Sequence, residues 1–187
     1  MRVIAGEAKG RPLVVPHAGA TRAATDRIRE TLFAILEPEL ADARVLDLFA
    51  GAGTLGIEAL SRGARAATFV ERDARALRAL RANLVRTGFT DRSSVIPSGV
   101  LSYLDAAPRG PFELVFSDPP FGDVAAANAT LAHPALRAAL APGAVVISRA
   151  LRKHPHAVPA TASVVRTKEI GEETLLFVRY SDLAAGG

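Results

Sequence analysis

An apolar run closed by three spaced glycines, Val45-Leu46-Asp47-Leu48-Phe49-Ala50-Gly51-Ala52-Gly53-Thr54-Leu55-Gly56, leaves this chain few folds to choose from. It reads as a strand, a glycine loop and a helix start, because glycine lets a backbone turn sharply into a helix N-terminus and approach a ligand closely. From residue 44 onward, strand-like runs alternate with helix-like periods, the pattern of an α/β domain with a mostly parallel sheet. The expected strands are Val45–Phe49, Ala67–Glu71, Ser94–Pro97, Leu114–Ser117 and Ala144–Ser148. Thr54–Arg62 reads as a short helix ending at Gly63. Asp73 can cap a second helix with Leu77, Leu80 and Leu84 on one face and Gly88 as its stop. Val124–Leu140 reads as a helix broken at Pro134, with Pro142-Gly143 turning the chain into the fifth strand.

Beyond that, Ser163–Ile170 and Thr174–Tyr180 flank Gly171-Glu172-Glu173, a hairpin signal that adds antiparallel strands to the sheet. Residues 1–43 read as a separate extension. Arg2–Ile4 and Leu13–Val15 around Gly6–Gly10 suggest a small hairpin. Thr25 or Asp26 then caps a helix with Ile28, Leu32, Ile35 and Leu36 on one face. The expected organisation is an extension over 1–43 and a main domain over 44–187.

At 187 residues one domain with a proper core is expected. There is no cysteine, so disulfides, thiolate nucleophiles and sulfur-based zinc sites are excluded. The first residues lack the apolar core of a signal peptide, and no apolar run approaches the ~18 residues of a membrane span. A cytoplasmic protein acting as a monomer, with no membrane partner, is expected. The net charge of +4 favours an anionic partner, but 20 of the 23 basic residues are Arg in an Ala-rich chain, a pattern that GC-rich coding also produces. Location says more. Residues 1–30 carry Arg2, Lys9, Arg11, Arg22, Arg27 and Arg29 against three acidic residues. The eight Arg between Arg62 and Arg92 read instead as a solvated helix face.

Asp118-Pro119-Pro120-Phe121 follows the apolar run Leu114-Val115-Phe116. Consecutive prolines restrain φ there and at the preceding residue, so the carbonyls of Asp118 and Pro119 are aimed and held. A carboxylate, rigid carbonyl acceptors and a flat ring suit a planar heterocycle bearing an exocyclic amino group.

Gly51, Gly53 and Gly56 satisfy the dinucleotide pattern G-x-G-x-x-G, and Glu71 closes the second strand about 20 residues on, where a carboxylate can bind ribose hydroxyls. A nicotinamide oxidoreductase therefore has to be weighed. Against it, Asp47 stands inside the first strand, and hydride transfer gives no reason for Asp-Pro-Pro-Phe. S-adenosylmethionine accounts for both, with its ammonium near Asp47, its ribose near Glu71 and its methyl toward the fourth strand.

Asp47–Gly53 with Asp118–Phe121 resemble the Rossmann-like class I methyltransferases that modify exocyclic amino groups. More narrowly, Arg2-Val3-Ile4-Ala5-Gly6, Lys9-Gly10-Arg11, Thr25-Asp26-Arg27-Ile28-Arg29-Glu30-Thr31-Leu32-Phe33 and Gly56-Ile57-Glu58-Ala59-Leu60-Ser61-Arg62-Gly63 resemble the RsmD family, the bacterial 16S rRNA (guanine-N2)-methyltransferases. The resemblance implies a seven-stranded sheet and methylation of one guanine in rRNA of the small ribosomal subunit. It implies S-adenosylmethionine as methyl donor, S-adenosylhomocysteine as product and no metal. Cofactor contacts carry over to Asp47, Phe49, Ala50, Gly51, Gly53, Thr54, Glu71, Arg72 and Asp118, and weakly to Ser98 and Gly99, where the family often has an acidic or amide residue. Its fifth strand often ends in an acidic residue, whereas this chain reads Ser148-Arg149, to which no role is assigned.

Asp118 and the Pro119 carbonyl are then expected to accept the two N–H bonds of the amine, with Pro120 stiffening the loop and Phe121 stacking on the base. Lys9, Arg11, Arg22, Thr25, Arg27 and Arg29 are the expected RNA contacts, although Arg27 and Arg29 could equally pair with a nearby carboxylate. His154-Pro155-His156 reads as surface polarity in a proline-rich loop. Two further alternatives stay open: a DNA adenine-N6 or cytosine-N4 methyltransferase, for which no length is left over for a recognition domain, and a non-catalytic RNA-binding assembly factor.

Overall fold

The computed structural model describes residues 1–16, 24–120 and 123–181. Along the chain run α1 (Asp26–Leu40), β1 (Arg44–Leu48), α2 (Thr54–Ser61), β2 (Ala66–Glu71), α3 (Ala74–Thr87) and β3 (Ser93–Pro97). They are followed by α4 (Val100–Asp105), β4 (Phe112–Ser117), α5 (Val124–Ala132), α6 (Pro134–Ala138), β5 (Leu140–Leu151), β6 (Ala162–Ile170) and β7 (Glu173–Tyr180). Among the described residues, one seven-stranded sheet has the order β3-β2-β1-β4-β5-β7-β6. β1 to β5 pair in parallel, and β7 lies antiparallel between β5 and β6.

Both faces of the parallel part of the sheet are covered, as a parallel sheet requires, while the antiparallel edge strand β6 is largely exposed. On one face Ile28, Leu32, Phe33 and Leu36 of α1, Ile57 and Leu60 of α2 and Leu80 and Leu84 of α3 pack on Val45, Phe69, Phe116, Ile147 and Phe177. On the other, Leu104, Leu131 and Leu136 from α4, α5 and α6 pack on Leu46, Leu48, Val70, Val115, Val146 and Val178. Helix ends follow local chemistry. Thr25 Oγ1 accepts the Ile28 N–H, Asp73 accepts from Arg75 and Ala76, and Gly88 closes α3 in the left-handed conformation.

Residues 1–43 share this core: Val3, Ala8, Leu13 and Ala24 are buried in the α1–α2–α3 layer. The expected N-terminal hairpin is present as one bridge, Arg2 to Pro12, with Val3 N, Gly10 N and Leu13 N donating across it to the carbonyls of Arg11, Val3 and Met1, while the backbone at its turn is directed at α2. The wholly buried Glu58 carboxylate accepts the N–H groups of Ile4 (2.8 Å) and Ala5 (3.0 Å), while Ser61 Oγ accepts from Ala8 N. Gly6 is obligatory in this seam: with φ at 82°, a Cβ there would stand 1.7 Å from the Ser61 carbonyl oxygen.

The helix after Asp-Pro-Pro breaks at Pro134 as expected: α5 ends at Ala132, His133 caps α6 through Nδ1 and Pro134 opens it. Two elements differ from expectation. β5 starts at Leu140, pairing with Phe112 before a register shift carries it past Pro142-Gly143. α4, six residues behind Gly99, is too short for its periodicity to stand out.

Candidate active site

The carboxyl ends of β1 to β4 open onto one cleft of about 610 Å³. Strand order reverses between β1 and β4, and open α/β sheets bind ligands at such a switch point. The cleft is lined by Asp47, Phe49, Ala50, Gly51, Thr54, Glu71, Arg72, Ser98, Gly99, Asp118, Pro119 and Pro120, so residues from four separate segments converge. Phe49 has φ at 60°, a left-handed conformation that a bulky aromatic residue rarely adopts and that clusters at functional sites. Phe121 lies outside the described residues.

Gly53, with φ at 79°, is not among the residues lining the cleft: its Cβ position falls 2.3 Å from Leu80 Cδ1 and 3.3 Å from Phe69 Cε1, so the glycine lets the loop pack on α3 and β2.

Electrostatics separate the cofactor alternatives. Asp47 is 1% exposed, and its Oδ2 accepts the Gly56 N–H at 2.9 Å. Burial raises its pKa well above the usual carboxylate range, against the Gly56 hydrogen bond and with help from the charges of Asp118 and Glu71. Glu71 accepts from Gly51 N at 2.8 Å and from Arg72 N and Asp73 N at 2.7 Å. Ala50 N and Gly53 N donate to the carbonyls of Val70 and Ala50. The loop's donors at Ala50, Gly51, Gly53 and Gly56 are thus already engaged, two of them by carboxylates. A pyrophosphate needs such donors and would face two acidic groups instead. A guest carrying positive charge meets the opposite situation: Glu71 favours it, and a cation beside Asp47 would draw that raised pKa back down and favour the carboxylate. The donor set therefore fits S-adenosylmethionine, with its ammonium and sulfonium, and disfavours a dinucleotide.

Asp118 follows β4 at the cleft, its N–H directed at the Leu48 carbonyl of β1. Its carboxylate meets a residue that the sequence reading left without a role. Arg149 of β5 forms a two-point fork, Nε to Oδ1 at 2.7 Å and Nη2 to Oδ2 at 2.9 Å, and its Nη1 donates to Glu173 of β7 at 2.8 Å. Burial pushes the Asp118 pKa up and the guanidinium pulls part of that back. For Arg149, burial works against the charge, but Asp118 and Glu173 together raise its pKa. The fork takes both carboxylate oxygens as acceptors, so the pair is ionised. A sequence signal for Arg149 existed: an arginine continuing the buried run Val145-Val146-Ile147-Ser148 must have carboxylate partners.

Asn83 was also missed. Wholly buried on α3, it exchanges hydrogen bonds with the backbone of Val14 and donates to the carbonyl of Ala52, tying the N-terminal segment to the glycine loop.

The expected RNA contacts divide. Lys9, Arg11 and Arg27 are exposed, Arg11 donating to the Arg86 carbonyl; Arg22 lies outside the described residues. Thr25 is occupied as the cap of α1. Arg29 is overturned as a phosphate contact: it is 0% exposed, paired with Glu58 and Asp26 and donating to the Arg2 carbonyl. His156 is half-buried, not plain surface; its Nδ1 lies 2.7 Å from Ser148 Oγ, and burial lowers its pKa.

Strand order, glycine loop and the Asp-Pro-Pro cleft define the Rossmann-like fold of class I methyltransferases. The chain belongs to the family described as conserved hypothetical protein 95, which matches residues 1–179, and its likeness to the RsmD group is upheld. It is 46% identical over 122 residues to Ribosomal RNA small subunit methyltransferase D of Escherichia coli strain K12, covering 65% of this chain and 60% of that protein. The match therefore spans less than two thirds of that relative's length. A solved Escherichia coli protein, yhhF, described as a candidate methyltransferase, superposes with a TM-score of 0.81 at 36% identity, covering 97% of this chain and 98% of the other. A Haemophilus influenzae protein described as a candidate methylase gives a TM-score of 0.78 at 31% identity over 97% and 98% of the two chains. Among the described residues, no helix is long and apolar enough to cross a membrane.

Proposed function

We propose that this protein transfers a methyl group from S-adenosylmethionine to the N2 amino group of a guanine in 16S rRNA of the small ribosomal subunit, acting as a cytoplasmic monomer. The observation that carries the reading is that the Asp118 carboxylate and Pro119 line the same acid-rich cleft as Asp47, the glycine loop and Glu71. Family membership and the likeness to the Escherichia coli small-subunit rRNA methyltransferase support the rRNA substrate; guanine N2 rests on the likeness to that family.

When bound, S-adenosylmethionine supplies an electrophilic methyl on a sulfonium. Asp47, with Phe49, Ala50, Gly51 and Thr54, would hold its amino-acid part, Glu71 and Arg72 its ribose, and Ser98 and Gly99 its adenine. The guanine amine is a poor nucleophile because its lone pair is delocalised into the ring. Asp118 accepts one N–H and the Pro119 carbonyl the other, which favours pyramidal nitrogen and aims the lone pair into the cleft. Negative charge at Asp118 stabilises the positive charge growing on nitrogen, and positioning supplies much of the rate. Phe121 stacks on the base, while Lys9, Arg11, Arg22 and Arg27 in residues 1–43 meet rRNA phosphates.

The test is labelled methyl transfer to small subunits from a strain lacking the gene, with naked rRNA and DNA alongside, and mass spectrometry of the product nucleoside. N2-methylguanosine from the subunit is the expected product. A methylated adenine or cytosine from DNA, or no transfer to any acceptor, would refute the proposal.

A further inference from the structure

We propose that Arg149 and Glu173 are positioning residues that set the orientation and net charge of the Asp118 carboxylate; the inference rests on the methyltransferase reading above. Arg149 is 6% exposed and stands on β5 opposite Leu175 of β7, two residues from Glu173, so two neighbouring strands bring the three groups together. Its planar fork engages both oxygens of Asp118 at 2.7 and 2.9 Å, which fixes the plane of the carboxylate as a single-point contact cannot. Each carboxylate oxygen keeps acceptor capacity beyond the bond to Arg149, so Asp118 can still receive an amine N–H while held.

Charge decides what the third member adds. Asp118 and Arg149 alone are neutral and would offer little field to a nitrogen gaining positive charge. Glu173, 2.8 Å from Arg149 Nη1 and half-buried, returns the trio to a net single negative charge. The charged groups acting on Asp118 are Arg149 from β5 and Glu173 from β7, and Asp47 of β1 is coupled to it electrostatically. Arg149 opposes protonation of Asp118 and Glu173 favours it. A protonated Asp118 would trade one acceptor oxygen for an O–H donor and lose the negative charge that stabilises the amine as it becomes positive. A purely structural role would only staple β5 to β7, and it makes different predictions.

The full chain is made as Arg149→Met, Arg149→Lys and Glu173→Gln. Two quantities are followed against pH: the carboxyl carbon-13 shift of Asp118, assigned with Asp118→Asn, and the single-turnover rate of methyl transfer to small subunits. In Arg149→Met the Asp118 midpoint and the acidic limb of the rate profile both move to higher pH. The rate on that limb falls about tenfold or more, while S-adenosylmethionine affinity changes by less than about threefold. Arg149→Lys returns the limb toward the wild type but leaves the plateau low, since a point charge does not hold both oxygens. Glu173→Gln moves the limb to lower pH and lowers the plateau. An unmoved Asp118 midpoint in Arg149→Met, or loss of rate by one factor at every pH in all three variants, overturns the proposal in favour of a staple. The carbon-13 arm needs no acceptor. If it responds as stated while the wild type methylates nothing, the electrostatic coupling holds and the methyltransferase reading is what fails.

Discussion

Replacing Arg29 with methionine should unfold this protein more readily without acting through RNA. The side chains of Arg29 and Glu58 are both 0% exposed and lie 3.4 Å apart. Removing one member of a buried ion pair strands the other charge and costs about 3–5 kcal/mol. Here Glu58 keeps Arg62 Nε at 2.8 Å and the N–H groups of Ile4 and Ala5, which places the loss near the lower bound. Losing the 2.6 Å bond to the Arg2 carbonyl adds about 1 kcal/mol, and the exposed Asp26 adds little. The expected destabilisation is about 3–4 kcal/mol, which at a urea slope of about 2 kcal/mol per M lowers the midpoint by roughly 1.5–2 M. Arg27→Met, on the exposed side of the same helix, should stay within about 0.5 kcal/mol. Equilibrium urea unfolding followed by circular dichroism measures both. An unchanged midpoint for Arg29→Met, accompanied by weakened RNA binding, would refute the assignment of Arg29 to the core.

Two other groups give pH-dependent signatures. The Tyr180 hydroxyl donates to the Leu131 carbonyl at 2.5 Å, and burial pushes its pKa from 10.0 to about 12. The stability it contributes is full below the ordinary phenol value and is lost as pH rises from there toward the folded one; Tyr180→Phe should remove that component from alkaline unfolding curves, leaving the smaller contribution of Tyr103, and cost about 1 kcal/mol near neutrality. Asp47 has the opposite consequence. Its raised pKa means that the folded state holds a proton the unfolded chain has lost, so stability falls as pH climbs through the ordinary carboxylate range. Asp47→Asn, which can still accept from Gly56, should gain stability relative to the wild type as pH rises from 4 to 7, and should bind S-adenosylmethionine more weakly. Urea titrations at the two pH values and calorimetry decide this.

The parallel frame was legible because its signals are local. Leu77, Leu80 and Leu84 share one face, Asp73 caps α3 and Gly88 ends it, all within a single helix. The convergence of Asp47, Glu71 and Asp118 was also legible, because in an alternating α/β chain the carboxyl ends of parallel strands must lie on one edge of the sheet. What escaped depends on contacts distant in sequence. Arg29 and Arg27 look alike in a helical period, and only the burial of Glu58, 29 residues from Arg29, separates them. Arg149 meets Asp118 across 31 residues and Glu173 across 24, through an antiparallel pairing of β5 with β7 whose register the residue pattern does not specify. Gly53 fits a ligand-binding pattern letter by letter, yet its neighbours Leu80 and Phe69 come from other elements.

The central claim is that Asp118 acts chiefly on the reacting amine, its part in holding the cofactor being the lesser one. Single-turnover methyl transfer by Asp118→Ala, paired with calorimetric S-adenosylmethionine binding, addresses it most directly. The account predicts a rate at least about 100-fold below the wild type with cofactor affinity within a few fold. Transfer at a near-normal rate, or a rate loss matched by an equal loss of cofactor affinity, would contradict it.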